Sequence, residues 1–181
     1  VTISDLNAQD LVPLYRLACE HKVELATAVL HNAYYFHKTD NTINDLQKVE
    51  SGIRDLMQAY LGSMHPKDWF RAYFTNGLIN HMRCGERSLK CTMATDSFFV
   101  DPFGNVRPCN VMDFTFGSIR EKPFNEIWTS PEADEARRRV EACTENCWMI
   151  GSVGHLMRRR FWVPLTWIAV NKLKSAAGSR I

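Results

Sequence analysis

The chain has 181 residues, 45% hydrophobic and 23% charged, which is enough for a sizeable buried core and excludes a disordered polymer. Twenty-two Lys and Arg against twenty Asp and Glu leave a net charge of +2, so no broad nucleic-acid footprint is expected. Six cysteines in a chain of this size, with no secretory signal in view, point to a reducing cytoplasm rather than to a disulfide framework.

Thr2-Ile3 has the composition of a strand, and a strand so close to Val1 is expected of a piece of a longer protein. Asn7 is a candidate N-cap, and Leu11, Leu14, Leu17 and Ala18 mark one face of a helix ending near His21, with Cys19 expected as a small buried hydrophobe. The nearly continuous apolar run 23–32 predicts a strand buried on both faces of a parallel sheet, which completes a βαβ unit. Ile43, Leu46, Val49, Ile53, Leu56, Met57 and Tyr60 keep helical spacing up to Gly62. Pro66 then opens a second helix carrying Trp69, Phe70, Tyr73, Phe74, Ile79 and Met82 to a basic turn over 83–87, the expected domain boundary.

Beyond that turn two β-rich runs flank Asp101-Pro102-Phe103-Gly104-Asn105, a hairpin signature in which Gly104 supplies a positive φ and the returning strand carries Cys109. Ser130-Pro131 reads as a cap and first helical turn, with Ala133, Ala136 and Val140 at helical spacing up to Cys143. The C-terminal stretch joins Arg158-Arg159-Arg160 to Phe161-Trp162 and Trp167, with Lys172 and Lys174 further on. Its apolar run is too short to span a bilayer. Packing on the rest of a parent protein or on a partner is the expected role, and contact with an anionic membrane surface is the alternative. His31, His37, His65, His81 and His155 are scattered without metal-ligand spacing.

Five cysteines remain after Cys19. Four form the ordered pattern Cys91-x12-Gly104-x4-Cys109, then 33 residues, then Cys143-x3-Cys147, and Cys84 precedes them. Four thiolates delivered by a hairpin and a helix end suit an iron–sulfur centre or zinc. With Phe116-Gly117-Ser118-Ile119-Arg120, Phe124-Asn125-Glu126-Ile127-Trp128, Ser130-Pro131 and Cys147-Trp148 in the same order, residues 91–148 resemble the SPASM/twitch domain of radical S-adenosylmethionine enzymes, in its single-cluster twitch form.

The resemblance implies that Cys91, Cys109, Cys143 and Cys147 ligate an auxiliary 4Fe-4S cluster serving electron transfer or substrate anchoring. Cys84 stands as a further possible ligand, because a pair with similar spacing precedes the hairpin in the larger form of the domain. An α/β (α+β) architecture is implied with it: residues 1–83 as the last β/α units of a partial (β/α)6 barrel, 84–149 as a hairpin-plus-helix auxiliary domain, and 150–181 as a basic, aromatic tail. The Cys-x3-Cys-x2-Cys loop of the family's catalytic cluster occurs nowhere in the 181 residues. The implied cofactors S-adenosylmethionine and a second 4Fe-4S cluster therefore belong to a full-length parent. No residue here is expected to be catalytic, and the chain alone is expected to be inactive.

In such a parent His31 and Asn32, at the end of the second strand, would line the S-adenosylmethionine pocket. Its partners would be the remaining half of the barrel and an unknown substrate. An open sheet edge would favour self-association of the piece. The competing reading is a structural four-cysteine zinc module, against which only one short cysteine pair is present, with three intervening residues.

Overall fold

The computed structural model describes residues 1–177. Two compact units divide the chain: Val1–Leu30, Thr42–Ser88 and the segment from Asn146 onward form the first, and His31–Asn41 with Leu89–Glu145 form the second. One division between the units falls after Ser88. The segment 31–41 and the C-terminal segment are allotted to units by their contacts rather than by their order in the chain.

In the first unit, β1 (Thr2–Ile3) pairs in parallel with β2 (Ala28–Val29), Thr2 opposite Ala28 and Ile3 opposite Val29, and α1 (Leu11–Glu20) makes the crossover. The βαβ unit is therefore present, but the strand expected over 23–32 shrinks to two residues. Lys22 leaves α1 at φ +54, Val23 is 61% exposed, and Glu24 turns to pair with Lys67 and Arg71, so only Thr27 and Val29 point inward. No further strand joins this sheet among the described residues. A pair of helices comes next, α2 (Leu46–Gly62) and α3 (Pro66–Met82), so the chain is mixed α and β with helix predominating.

The helices start as their residues dictate. Asp45 caps α2 by accepting the Lys48 backbone N–H at 2.9 Å, and the Asp5 carboxylate accepts the N–H groups of Asn44 and Asp45, placing two acids at the positive end of the helix dipole. Pro66 occupies the first turn of α3, where its missing N–H leaves no hydrogen bond unmade. Val49, Ile53, Leu56, Met57, Tyr60 and Leu61 from α2 form the centre of the core with Ile3, Leu11, Ala72 and Leu78. Cys19 is exposed, contrary to the expectation of burial. The buried residues of α1 are Leu11 and Ala18, and one residue further along a helix is a rotation of about 100° away from that face.

The C-terminal segment folds as α6 (Ile150–Arg159) and α7 (Trp162–Ala176), and α7 packs against α2 and α3. The Lys172 ammonium donates to the carbonyls of Leu61 and Ser63 and lies 4.0 Å from the Trp69 ring centre, while Gln58 donates to Ser175. None of the helices is long and apolar enough to cross a membrane, among the described residues.

A buried carboxylate ties the first unit together. Asp68 accepts from the Tyr15 hydroxyl at 2.8 Å, the Ser63 hydroxyl at 2.8 Å and Arg71 Nη1 at 2.7 Å, joining α1, α3 and the loop between α2 and α3. Burial alone would raise its pKa, but these three donors and the Arg71 charge outweigh burial and hold it below the ordinary 3.8. A depressed carboxyl stabilises the fold above its unfolded pKa and loses that contribution as the pH falls through the folded value. Asp68→Asn is expected to cost about 3 kcal/mol near neutral pH, because it removes the charge that satisfies Arg71 and Tyr15. Urea titrations at stepped pH should show the gap to wild type narrowing below 3.8. A gap independent of pH would rule the carboxylate out as the source.

The second unit is built on a three-stranded antiparallel sheet of β3 (Phe99–Val100), β4 (Asn105–Arg107) and β5 (Gly117–Ser118), after which come α4 (Phe124–Trp128) and α5 (Pro131–Glu141). The hairpin turn is fastened from inside by Asp101, which is buried. Its carboxylate accepts the backbone N–H groups of Phe103 and Asn105 and the Asn105 amide, at 2.9 to 3.0 Å. Gly104 sits at φ +86, the left-handed conformation expected of it. Ser130 caps α5 through the Ala133 N–H.

Candidate metal centre

Around Val106, Phe116, Ile127, Ala133, Ala136 and Val140 the second unit has its own small core, and Cys91 packs on that core from the segment preceding the hairpin. Cys109 lies two residues past the end of β4, and Cys143 lies just beyond the end of α5, where its N–H bonds to the Val140 carbonyl. Three separate elements thus deliver three half-buried thiols.

The Cys109 thiol is pushed above its ordinary pKa, first by burial and further by the negative potential of Cys91 and of Cys143. Against this, the backbone N–H groups of Met112 and Val111 donate to the Cys109 sulfur and favour its thiolate. Such donors also stabilise a thiolate ligated to a metal.

The supports of this arrangement are less visible in the sequence. Arg137 of α5 donates to the Ala94 carbonyl at 3.1 Å and to the Trp128 carbonyl at 2.7 Å, and its guanidinium lies 5.1 Å from the centre of the Trp128 ring. One side chain therefore clamps the segment carrying Cys91 to α4 and α5. Ala94 itself adopts φ +60, and its N–H reaches back to Ser97. Arg139 lies over the Phe114 ring at 4.1 Å. In sequence these arginines are part of a uniform Arg137-Arg138-Arg139 run with nothing to set Arg137 apart.

Cys147, four positions past Cys143, belongs to the first unit, and both its neighbours are anchored there. The Asn146 side chain donates to the Gly85 carbonyl at 2.5 Å, the Asn146 backbone carbonyl meets His81 Nδ1, and Trp148 Nε1 donates to the Phe74 carbonyl at 2.7 Å. The Trp148 ring is buried on top of Gly77, where a Cβ would stand 1.9 Å from Cε2. Cys84 is in the same unit, exposed and at φ +53, immediately before the Gly85 whose carbonyl Asn146 holds. Two of the five candidate thiols are thus in the first unit and three in the second.

His31 and Asn32, expected at the end of the strand, instead lie past β2, which stops at Val29, and fall in the second unit. The Asn32 amide is occupied in closing the loop to Asn41: its Oδ1 accepts the Asn41 N–H at 2.9 Å, and the Asn41 amide donates to the His31 carbonyl at 2.9 Å.

Among the described residues no three His, Cys, Asp or Glu side chains are gathered tightly enough to hold a single metal ion. A tetrahedral zinc site with bonds of about 2.3 Å would need its sulfurs roughly 3.8 Å apart. An iron–sulfur cluster places each thiolate on its own iron and demands less convergence. Thiolates are the ligands such a cluster takes, and Cys91, Cys109 and Cys143 are half-buried thiols on separate elements, with backbone N–H donors at the Cys109 sulfur.

Comparison with known proteins agrees with this chemistry. The model of the SPASM iron–sulfur cluster-binding domain matches residues 91–148. Over 57 residues the chain is 37% identical to the AdoMet-dependent heme synthase of Methanosarcina barkeri (strain Fusaro / DSM 804), a match covering 32% of this chain and 16% of that protein. No solved structure matches the chain. The matched residues 91–148 are the same ones whose ordered motifs resemble that domain, and the chain spans only a small part of the length of the curated relative it matches.

Proposed function

We propose that Cys91, Cys109, Cys143 and Cys147 together hold one auxiliary 4Fe-4S cluster, and that these residues form part of a radical S-adenosylmethionine enzyme whose catalytic loop lies in another part of the protein. The observation that supports the reading is the match of the SPASM iron–sulfur cluster-binding domain over residues 91–148, which contain all four cysteines, with Cys91, Cys109 and Cys143 half-buried in one unit and Cys109 within the field of the other two. When bound, the cluster would supply a one-electron couple beside the site of reaction, or an iron that anchors substrate.

The chain's own residues do the preparatory work. Asp101 and Gly104 set the hairpin turn whose returning strand leads to Cys109. Arg137 fixes the Cys91 segment on the helices. The N–H groups of Val111 and Met112 compensate negative charge on the Cys109 sulfur once its proton leaves on metal binding. His31 and Asn32 remain proposed contacts of S-adenosylmethionine in the whole protein.

The test is composition. Protein isolated without oxygen, or reconstituted with iron and sulfide, should be brown and contain about four irons and as many sulfides per chain. Colourless protein holding one zinc would establish the four-cysteine zinc reading instead.

A further inference from the structure

Charge is distributed along this chain in a way its net value hides. Residues 1–145 hold sixteen Lys and Arg against twenty Asp and Glu, whereas residues 146–181 hold six Lys and Arg and not one Asp or Glu. The total of +2 is therefore −4 over the first part and +6 over the last 36 residues. Segments of one sign attract surfaces of the other.

The helix α7 in this cationic segment is apolar on two faces. Pro164, Ile168 and Asn171 are buried on the first unit, and Trp167 sits edge-on to the Tyr73 ring. The opposite face carries Trp162, Leu165, Thr166, Ala169, Val170 and Leu173, every one exposed. Trp162 is 65% accessible, Val170 52% and Leu173 73%. These residues recur at spacings of three and four, so they form one continuous stripe along α7. A helix apolar on both its inner and outer sides needs a second apolar environment, and α7 at 15 residues is too short to cross a bilayer.

The flanks of the stripe say which environment. Arg158, Arg159 and Arg160 are consecutive and exposed where α6 runs into α7, and directly after them come the rings of Phe161 and Trp162, 4.3 Å between centroids and both exposed. Lys174 is exposed near the far end. Aromatic rings with arginine at one end and aliphatic side chains along a stripe form the composition of a helix lying in the headgroup region of an anionic bilayer. Lys172, held by two carbonyls and the Trp69 ring, fastens the opposite side of the helix to the protein, so the stripe faces outward from a rigid support.

We propose that α7 docks the protein in the plane of an anionic membrane surface, with Trp162, Leu165, Val170 and Leu173 buried among the acyl chains and Arg158 to Arg160 paired with lipid phosphates. This contact is independent of the metal centre and requires no cluster.

Co-sedimentation of the 181-residue chain with phosphatidylcholine vesicles, with and without phosphatidylglycerol, tests it. Binding is expected only with phosphatidylglycerol, with release by high salt. Reversing the three arginines together (Arg158→Glu, Arg159→Glu, Arg160→Glu) should weaken partitioning on the order of a hundredfold or more, at about fivefold per charge removed. Trp162→Ser with Leu173→Ser changes no charge and replaces only exposed side chains, and it should weaken partitioning on the order of tenfold. Equal binding to neutral and anionic vesicles, no binding at all, or undiminished binding of the double serine variant would each overturn the proposal. So would light scattering that finds a dimer converted to monomer by Leu173→Ser, since the stripe would then be a contact between two copies.

Discussion

Cys109→Ala is expected to remove nearly all of the iron from reconstituted protein, taking it from about four per chain to a trace that gel filtration strips away. A cubane losing one of four thiolates exposes an iron to water and oxygen, and Cys109 is the thiol whose burial and N–H donors are best prepared to retain it. The variant should keep its helical circular dichroism, because the core of the second unit is made by Val106, Phe116, Ile127 and the α5 alanines rather than by the thiol. Cys19→Ala is the control: this exposed thiol on α1 should leave iron and colour unchanged. The same assay separates Cys84 from Cys91. Cys91 is half-buried and packs on the core of the second unit, whereas Cys84 is exposed on the first unit beside the Gly85 that Asn146 holds. Cys91→Ser should shorten the lifetime of the cluster in air sharply and Cys84→Ser should leave it intact. The reverse order would make Cys84 the ligand, and full iron retention by Cys109→Ala would end the four-thiolate assignment.

Trp148→Ala should lower the stability of the first unit by about 4 kcal/mol, the largest single loss expected outside the metal centre. The ring is 2% exposed, bonds to the Phe74 carbonyl and stacks on the Phe74 ring at 6.2 Å. Gly77 exists for it: a glycine in mid-helix costs close to about 1 kcal/mol against alanine, and α3 accepts that cost because the indole occupies the space of a Cβ. Gly77→Ala is therefore expected to destabilise by about 3 kcal/mol despite its better helix propensity. In a Trp148→Phe background, where the smaller ring leaves room, most of that penalty should vanish. Urea unfolding of the four proteins of this cycle measures the coupling, and additive losses would show that the contact does not govern the site. Because Trp148 directly succeeds Cys147, its anchorage also fixes where that thiol starts from within the first unit.

Much of the local structure could be read from the sequence because its causes are local. Pro66, Ser130-Pro131 and the spacing of Val49, Ile53, Leu56 and Tyr60 specify helices through capping, φ restriction and periodicity, and α2, α3 and α5 start within a few residues of where those signals put them. Asp101 and Gly104 specify the hairpin in the same way. The ordered pattern of Cys91, Gly104, Cys109, Cys143 and Cys147 was visible in the sequence too, and the matched SPASM domain spans the same stretch, residues 91–148. The features that the tertiary structure alone decided depend on contacts between residues far apart in the chain. The apolar run 23–32 has no strand partner beyond Thr2 and Ile3 among the described residues, so it pairs over two residues and leaves Val23 in water. Cys19 lies outward because the core meets α1 at Leu11 and Ala18, a choice of face that the dispersed leucines of that helix did not determine. Arg137, Asn146 and Gly77 owe their roles to Ala94, Gly85 and Trp148, partners 43, 61 and 71 residues away, and no local pattern marks a side chain whose purpose is set by a carbonyl or ring at that separation.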